Sequence, residues 1–287
     1  TMQREFENLA GPVAGSDQTV GSVIHHFEAV TSTMDVAWEQ ANKGAVDGTV
    51  IVADHQSQGR GRFDRSWVSE PGKDILCSVV LRPRVSLAGE LLMLAALAVV
   101  DVAKSFGIDA GIKWPNDVQV AGKKLAGVIA ESVSGPVAHE PEQSNDPGPD
   151  HEPPDQNATE HVVAVIGIGL NVNFNLTGYE GTMPDPTSIS AELGGQVDRV
   201  VVLKRLLRSL DGHYSELSAG DTIVPAWRAK LTTLGKMVTI TSGSPGGSTK
   251  MHGLAHDVDS IGRLIVRDAD GRNWPVSAGE VTLQDTS

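Results

Sequence analysis

Four runs of strand-forming residues set the main constraint on how this chain can fold. Each run is rich in β-branched residues and bounded by Gly, Pro or Asp, as buried β-strands are. Helical patterns occur between and after them, at 32–43 with Ser32 and Thr33 as capping residues, at 86–106, and at about 198–218. A chain that mixes the two elements in this way is predicted to form an α/β (α+β) domain. The strand-like runs are GTVIVAD (48–54), DILCSVVL (74–81), LAGVIAES (125–132) and HVVAVIGIGLNVN (161–173).

The pattern changes after Leu231, where short strand candidates follow one another between Gly and Asp turns. GKMVTITSG, KMHGLAHDVDS, GRLIVRDADG and NWPVSAGEVTL are typical of hairpins. About fifty residues of this kind predict a small all-β barrel. We therefore expect two domains, 1–233 and 234–287.

The segment at about 134–161 contains no Lys or Arg and has six of the fifteen prolines. It cannot bury enough apolar surface to offset the entropy of ordering, so it is predicted to be a disordered loop between two strands. The alternative is a metal-binding tract that uses His139, His151 and His161, but the spacing of these residues is irregular. The segment also carries seven acidic residues, namely Glu140, Glu142, Asp146, Asp150, Glu152, Asp155 and Glu160.

Charge and cysteine content exclude several classes of protein. The net charge is −13, and without the acidic segment it is still −6, from 29 acidic and 23 basic residues. No basic nucleic-acid face is visible outside one arginine-rich stretch. The most apolar run, 91–100, is closed by Asp101, and the N-terminus has no signal-like apolar core, so neither a membrane span nor export is expected. Cys77 is the only cysteine, which fits a cytoplasmic protein.

The most unusual stretch is QGRGRFDRSW, residues 58–67, which we call the arginine loop. Arg60, Arg62 and Arg65 are permanently charged forks that match phosphate or carboxylate oxygens. Gly59 lets the backbone approach a ligand closely. The stretch alone is equally compatible with an anion-binding loop and with a solvated turn or an RNA-binding Arg/Gly tract.

Three further motifs are ambiguous when each is taken alone. KWPNDV (113–118) is a turn with oxygen acceptors, which could serve a ligand or only an Asx bond. GKKLAGVIAE (122–131) brings Lys124 to a buried strand with Gly127 inside it, a common sign of close approach by a ligand. GIGLNVN (167–173) has Val172 where a dinucleotide fingerprint needs its third glycine, and the chain has no Walker A loop.

Taken in order, these four motifs resemble those of the biotin protein ligases. Members of that family carry a GRGR-x-G-R-x-W loop, a strand ending in LRP, KWPND, a K-L-A-G-[IV] strand and a G-[IV]-G-[IL]-N strand. The resemblance runs from about Val30 to Leu283. Three departures are Asp64 in place of a loop glycine, Met34 in place of the asparagine of S-T-N, and the 134–161 insertion. About thirty residues precede the pattern, too few for a DNA-binding winged helix, so repressor activity is not expected.

The resemblance implies a fold and a reaction. The fold would be a mixed β-sheet flanked by helices, as in the class II synthetase-like biotin/lipoate ligase domain, with a small C-terminal SH3-like β-barrel. Biotin and MgATP would give biotinyl-5′-AMP, and a lysine of a biotin carboxyl carrier protein or domain would then displace AMP. Mg²⁺ would be held mainly through phosphates, without a dedicated protein site. The alternatives are a lipoate or octanoate ligase or transferase and a non-catalytic biotin sensor.

The resemblance also implies a set of site residues, which matching positions assign as follows. The catalytic residues would be Arg62, Lys124 and Asp117. Biotin would be bound by Ser32, Thr33, Gln56, Gly59, Arg60, Arg62, Lys124 and Gly127. The nucleotide would be bound by Arg60, Arg62, Arg65, Trp67, Asn116, Asp117, Lys124 and Asn171. No nucleic-acid or membrane partner is expected, and the protein would be a cytoplasmic monomer or weak homodimer.

Overall fold

The structure is a computed structural model that describes residues 18–63, 65–133, 161–178, 185–242, 249–277 and 279–283. Two of the sequence features, Asp64 and nearly all of the acidic segment, lie outside these described residues.

A seven-stranded mixed sheet forms the larger part of the molecule. Its strand order is β1-β2-β3-β7-β6-β5-β4, with β1 and β2 parallel and all other neighbours antiparallel. This sheet confirms the predicted α/β class. The strands are β1 (Ile24–Phe27), β2 (Thr49–Ala53), β3 (Ile75–Leu81), β4 (Gly111–Lys113), β5 (Asp117–Val120), β6 (Lys123–Val133) and β7 (Val163–Leu170).

Helices cover both faces of this sheet, because alternate residues of its strands are apolar on each side. On β3, Cys77 and Val79 face the main core, whereas Val80 faces α1. Burial raises the pKa of the Cys77 thiol to about 12, so this cysteine is an inert core residue. The helices are α1 (Thr33–Asn42), a 3₁₀ turn (Val85–Glu90), α2 (Leu91–Ser105), α3 (Ile189–Leu193), α4 (Arg199–Ala219) and α5 (Val224–Arg228).

The apolar helix α2 lies in the core between the sheet and α4. Together with the preceding 3₁₀ turn it spans Val85–Ser105, which is long and apolar enough to cross a membrane by length and composition alone. Its residues Leu94, Ala95 and Ala96 are nonetheless completely buried in the main hydrophobic cluster. A helix that is apolar all round is expected at such a central position.

The C-terminal strands form a separate five-stranded antiparallel sheet, in the order β11-β10-β9-β8-β12. This confirms the small all-β unit at the C-terminus. It is joined to the main sheet through Trp114, whose indole Nε1 donates to the carbonyl of Gly262 at 3.0 Å. The strands are β8 (Met237–Ser242), β9 (Thr249–Val258), β10 (Leu264–Arg267), β11 (Asn273–Val276) and β12 (Glu280–Leu283).

Candidate active site

A cavity of about 730 Å³ opens between the α1 face of the main sheet, the arginine loop and the C-terminal sheet. This volume is within the usual range for small-molecule sites. Of the thirteen residues singled out in the sequence, only Gly59 does not line the cavity. The twelve that do are Ser32, Thr33, Gln56, Arg60, Arg62, Arg65, Trp67, Asn116, Asp117, Lys124, Gly127 and Asn171.

A pair of glycines in the centre of the sheet makes room for an aromatic ring. Gly127 on β6 is paired with Gly169 on β7. A Cβ atom at Gly169 would lie 2.4 Å from Cε2 of Trp67, and one at Gly127 would lie 2.9 Å from Cζ3 of the same ring. The indole therefore rests on this glycine pair, and no larger residue fits beneath it.

Hydrogen bonds between its two sides give the arginine loop its shape. The amide of Gly61 donates to the carbonyl of Arg65 at 2.7 Å, and the amide of Trp67 donates to the carbonyl of Gly59 at 2.8 Å. A Cβ atom at Gly59 would lie 2.7 Å from the carbonyl oxygen of Trp67. Gly59 thus allows the two sides of the loop to come together, which is a different role from the predicted contact with biotin.

Two cationic groups meet the Asn-Asp pair of the KWPND motif inside the cavity. Nη1 of Arg62 donates to Oδ1 of Asn116 at 3.0 Å. Nζ of Lys124 lies 2.7 Å from Oδ1 of Asp117, and it is 5.5 Å from the centre of the Trp67 ring. The site therefore combines a guanidinium, an ammonium and a carboxylate, which is a set of groups that can bind an anion and handle an incoming amine.

Arg60, the first arginine of the arginine loop, is paired with a side chain of α1. Arg60 forms an ion pair with Asp35 of α1, and both side chains are well exposed. Exposed pairs of this kind contribute little to stability, so Arg60 can exchange Asp35 for a ligand oxygen at low cost.

Another part of the cavity wall carries uncharged polar groups. Thr33 donates to Oε1 of Gln56 from its amide at 2.7 Å and from its hydroxyl at 3.0 Å, and Ser78 donates to the Thr33 hydroxyl at 2.8 Å. Ser32 caps α1 by accepting from the amide of Met34 at 3.3 Å. These buried hydroxyls and the amide are suited to a neutral polar ring.

Asn171 is fixed by the surrounding backbone. Its Nδ2 donates to the carbonyl of Thr187 at 2.9 Å, and its own amide donates to the carbonyl of Leu125 at 3.0 Å. Asn171 therefore joins β6, β7 and the segment that leads into α3, and it forms part of the cavity wall.

The described residues contain no group of three or more His, Cys, Asp or Glu side chains that could hold a metal ion. The one described residue of the histidine-containing tract, His161, forms an isolated β-bridge with Arg84.

Comparison with known proteins identifies the family. Residues 26–140 match the biotin/lipoate A/B protein ligase family, and residues 233–283 match the biotin protein ligase C terminal domain. The chain is 34% identical over 260 residues to the biotin–[acetyl-CoA-carboxylase] ligase of Mycobacterium tuberculosis, covering 88% of this chain and 85% of that protein. The chain belongs to the biotin protein ligase family. It is also 29% identical to the bifunctional ligase/repressor BirA of Bacillus subtilis, over 88% of this chain and 72% of that one.

Solved structures agree on the fold. The biotin protein ligase of Aquifex aeolicus in complex with biotin and ATP superposes with a TM-score of 0.68 at 22% identity, and covers 92% of this chain and 99% of that one. The biotin protein ligase of Leishmania major in complex with biotinyl-5-AMP has a TM-score of 0.55 at 23% identity, over 89% of this chain and 99% of that one.

Several residues that line the cavity of this biotin protein ligase family member were not found by sequence reasoning. Gly167 and Gly169 could have been found, because alternation along the GIGLN strand places both on one face. Met34 fills the space left by Gly167, where a Cβ atom would lie 2.7 Å from the Met34 sulfur. No sequence signal points to the C-terminal sheet, which contributes Val281 and Thr282 from far along the chain.

A buried carboxylate lies directly before β3, at the end of the β2–β3 connection that contains the arginine loop. Asp74 is 1% exposed, and its Oδ1 accepts from the amide of Val172, next to Asn171, at 2.9 Å. Burial raises the pKa of Asp74 from 3.8 to about 6, and the nearby Arg199 opposes part of that rise.

Proposed function

We propose that this protein is an ATP-dependent ligase that activates biotin as biotinyl-5′-AMP and transfers it to a lysine of a biotin carboxyl carrier protein or domain. The observation that carries the proposal is that one cavity is lined by Arg62, which bonds to Asn116, and by the Lys124–Asp117 pair. The family to which the chain belongs supports the same reaction.

The first step joins the biotin carboxylate to a phosphate of ATP, and two anions can approach only where cationic side chains reduce their repulsion. A carboxylate oxygen of biotin attacks the α-phosphorus of ATP, a phosphorus–oxygen bond forms, and pyrophosphate leaves. Arg62 and Lys124 would reduce the repulsion between the carboxylate and the phosphate and stabilise the charge that develops on the phosphate oxygens. Arg60 and Arg65 would hold the remaining phosphate oxygens.

The second step transfers the acyl group. The lysine amine of the carrier attacks the acyl carbon of biotinyl-5′-AMP, an amide bond forms, and AMP leaves with the electrons of the broken carbon–oxygen bond. We assign Asp117 the role of binding the incoming amine and accepting its proton, because its carboxylate already pairs with an ammonium group at 2.7 Å.

The two ends of the cavity would bind different parts of the ligand. Ser32, Thr33 and Gln56 would hydrogen-bond the ureido ring of biotin, with Gly127 in close contact with the ligand. Trp67, Asn116 and Asn171 would form the nucleotide side. Gly59 would act indirectly, by allowing the loop to close on itself.

The residues in the cavity fit the magnesium ion that accompanies ATP. Mg²⁺ typically takes one or two carboxylates together with substrate phosphates and water. Among the described residues that line the cavity, Asp117 supplies the one carboxylate, and it and the neighbouring Asn116 amide oxygen would take the ion in place of their present bonds to Lys124 and Arg62. When bound, the ion would neutralise phosphate charge, and the protein would supply only part of its coordination.

The remaining assignments follow from this function. The partner would be a carboxylase carrier domain, with no nucleic acid or membrane involved. The protein would work in the cytoplasm as a monomer or weak homodimer. We place the domain division at 233/234, because the last pairing with the main sheet, between Leu231 and Ile112, precedes β8.

The first experiment measures pyrophosphate release from MgATP with biotin, octanoate or lipoate, without any carrier. Release with biotin alone is expected. Release with the fatty acids alone would indicate a lipoate-type ligase, and release with none of the acids would favour a biotin sensor. A transferase would modify the carrier without ATP.

The second experiment tests Arg62→Ala, with Arg272→Ala as the control because Arg272 is exposed on a turn of the C-terminal sheet. One lost charge-assisted hydrogen bond corresponds to about 1.5–3 kcal/mol, so adenylate formation should fall roughly tenfold to a hundredfold. Equal rates in the two variants would contradict the assigned role of Arg62.

A further inference from the structure

The connection between β2 and β3 carries the whole arginine loop, and it begins and ends with an aspartate. Asp54 follows the last residue of β2, and Asp74 precedes the first residue of β3. Both aspartates are in contact with Arg199, the first residue of α4, although Arg199 does not line the cavity.

Arg199 bonds to both ends of this connection at once. Its Nη2 lies 2.7 Å from Oδ1 of Asp54, and its Nη1 donates to the backbone carbonyl of Asp74 at 3.0 Å. The Arg199 side chain is only 4% exposed and that of Asp54 is 21% exposed, so the bond to the Asp74 carbonyl is buried and the bond to Asp54 is partly buried. A planar guanidinium can bind two acceptors in fixed directions, whereas a lysine ammonium on a flexible stem holds no such geometry.

Further contacts link Arg199, Asp54 and Asp74, which we call the anchor, to neighbouring strands. Oδ2 of Asp54 lies 3.1 Å from Nε2 of His26 on β1, and the amide of Gly72 donates to the carbonyl of Asp54 at 2.9 Å. The Asp74 carboxylate accepts from Val172, the residue after Asn171. The anchor therefore fixes the two ends of the β2–β3 connection relative to each other and to the end of β7.

We propose that Arg199 is a positioning residue that braces the two ends of the β2–β3 connection, in addition to the pairing of β2 with β3, and thereby keeps Arg60, Arg62 and Arg65 over the cavity. The inference rests on the proposed function for its effect on catalysis, but its structural part can be tested without any activity. Arg199 acts through the loop, so its loss should weaken retention of the adenylate more than it weakens the fold.

The structural test uses trypsin on the protein without ligand. Trypsin cleaves after Arg60, Arg62 and Arg65, and cleavage after the exposed Lys43 at the end of α1 serves as the internal reference. The variants are Arg199→Lys and the milder Asp54→Asn, which keeps an acceptor but removes the charge. Arg205→Gln is the control, since Arg205 lies on the same helix and bonds to the carbonyl of Ser105 at 2.9 Å.

We expect the ratio of loop cleavage to Lys43 cleavage to rise severalfold in Arg199→Lys and Asp54→Asn, and to stay at the wild-type value in Arg205→Gln. General destabilisation would raise cleavage at all of these sites, and the ratio would not change. An unchanged ratio in both variants would overturn the inference.

The catalytic test measures the release of preformed biotinyl-5′-AMP. Loss of one charge-assisted hydrogen bond should speed release by roughly tenfold in Arg199→Lys. Release at the wild-type rate in both variants would refute the inference even if the trypsin ratio rose. If the wild type forms no adenylate from biotin and MgATP, the proposed function fails, and the trypsin ratio still decides the role of Arg199.

Discussion

Replacing Asp74 by asparagine should change how the stability of this protein depends on pH. Asparagine retains an oxygen that can accept from the amide of Val172, as Oδ1 of Asp74 does at 2.9 Å. The other carboxylate oxygen, Oδ2, is buried without a hydrogen-bond partner among the described residues. The substitution therefore keeps the shape of the side chain and its bond to Val172, and it removes the ability to ionise. It also puts an amide NH2 group at the Oδ2 position, which shifts the stability by the same amount at every pH.

The sign of the effect follows from the pKa of Asp74, which burial raises from 3.8 to about 6. Between these two values the folded state still holds a proton that the unfolded state has lost, so stability falls as the pH rises. The contribution of Asp74 is fully present below about pH 3.8 and is lost above about pH 6. The difference between the two pKa values corresponds to about 3 kcal/mol. Arg199 already favours the charged form and Glu70 opposes it, and both effects are included in the value of about 6.

Urea unfolding followed by tryptophan fluorescence, at several pH values from 4 to 8, would measure this contribution. The free energy of unfolding of Asp74→Asn minus that of the wild type should increase by roughly 2–3 kcal/mol over this range, because at pH 4 the unfolded carboxyl is already partly ionised. Asp221→Asn is the matched control because Asp221 is exposed. Its curve should run parallel to that of the wild type. A curve for Asp74→Asn that is also parallel would refute the reasoning.

Three other changes test the site. In Gly169→Ala the new methyl group, 2.4 Å from the Trp67 ring, must displace the indole. Because Trp67 is assigned to the nucleotide side, calorimetry should show at least roughly tenfold weaker ATP binding, with stability changed by less than about 1 kcal/mol. Gly195→Ala, which has open space around it, should bind ATP normally. Lys124→Met should slow pyrophosphate release roughly tenfold to a hundredfold, and unchanged release would remove Lys124 from the mechanism. Deleting 136–158 should leave carrier biotinylation within a few-fold of the wild type, since β6 and β7 are paired up to the ends that this segment joins, and complete inactivation would contradict that expectation.

The strongly patterned elements of the fold were predictable from sequence. The run at 48–54 became β2 (Thr49–Ala53), and the pattern at 198–218 became α4 (Arg199–Ala219). The edge strand β1 was missed because its four residues, IHHF, form no apolar run. The strand order was also beyond sequence reasoning, since it depends on pairings between distant segments such as β3 with β7.

The candidate site was also predictable from sequence only in part. Its motifs could be recognised because glycines and arginines are clustered in the arginine loop and because KWPND is an unusual run of residues. Arg199 was not visible, because an arginine at the start of an amphipathic helix looks like an ordinary surface residue until tertiary structure buries it. The contact of Gly59 with biotin stays a prediction, and sequence spacing could not show that the Cβ position of Gly59 faces the Trp67 carbonyl of its own loop.

The cavity wall is shared by the main sheet and, through Val281 and Thr282, by the C-terminal sheet. Any molecule that fills the cavity therefore stabilises the association of the two units as well as each unit by itself. At a ligand concentration a hundred times its dissociation constant, binding raises the free energy of unfolding by about 2.7 kcal/mol. In thermal denaturation, the ligand should bring the unfolding of the two sheets closer together into a single cooperative transition. The bound ligand then contributes to the contact between the two units.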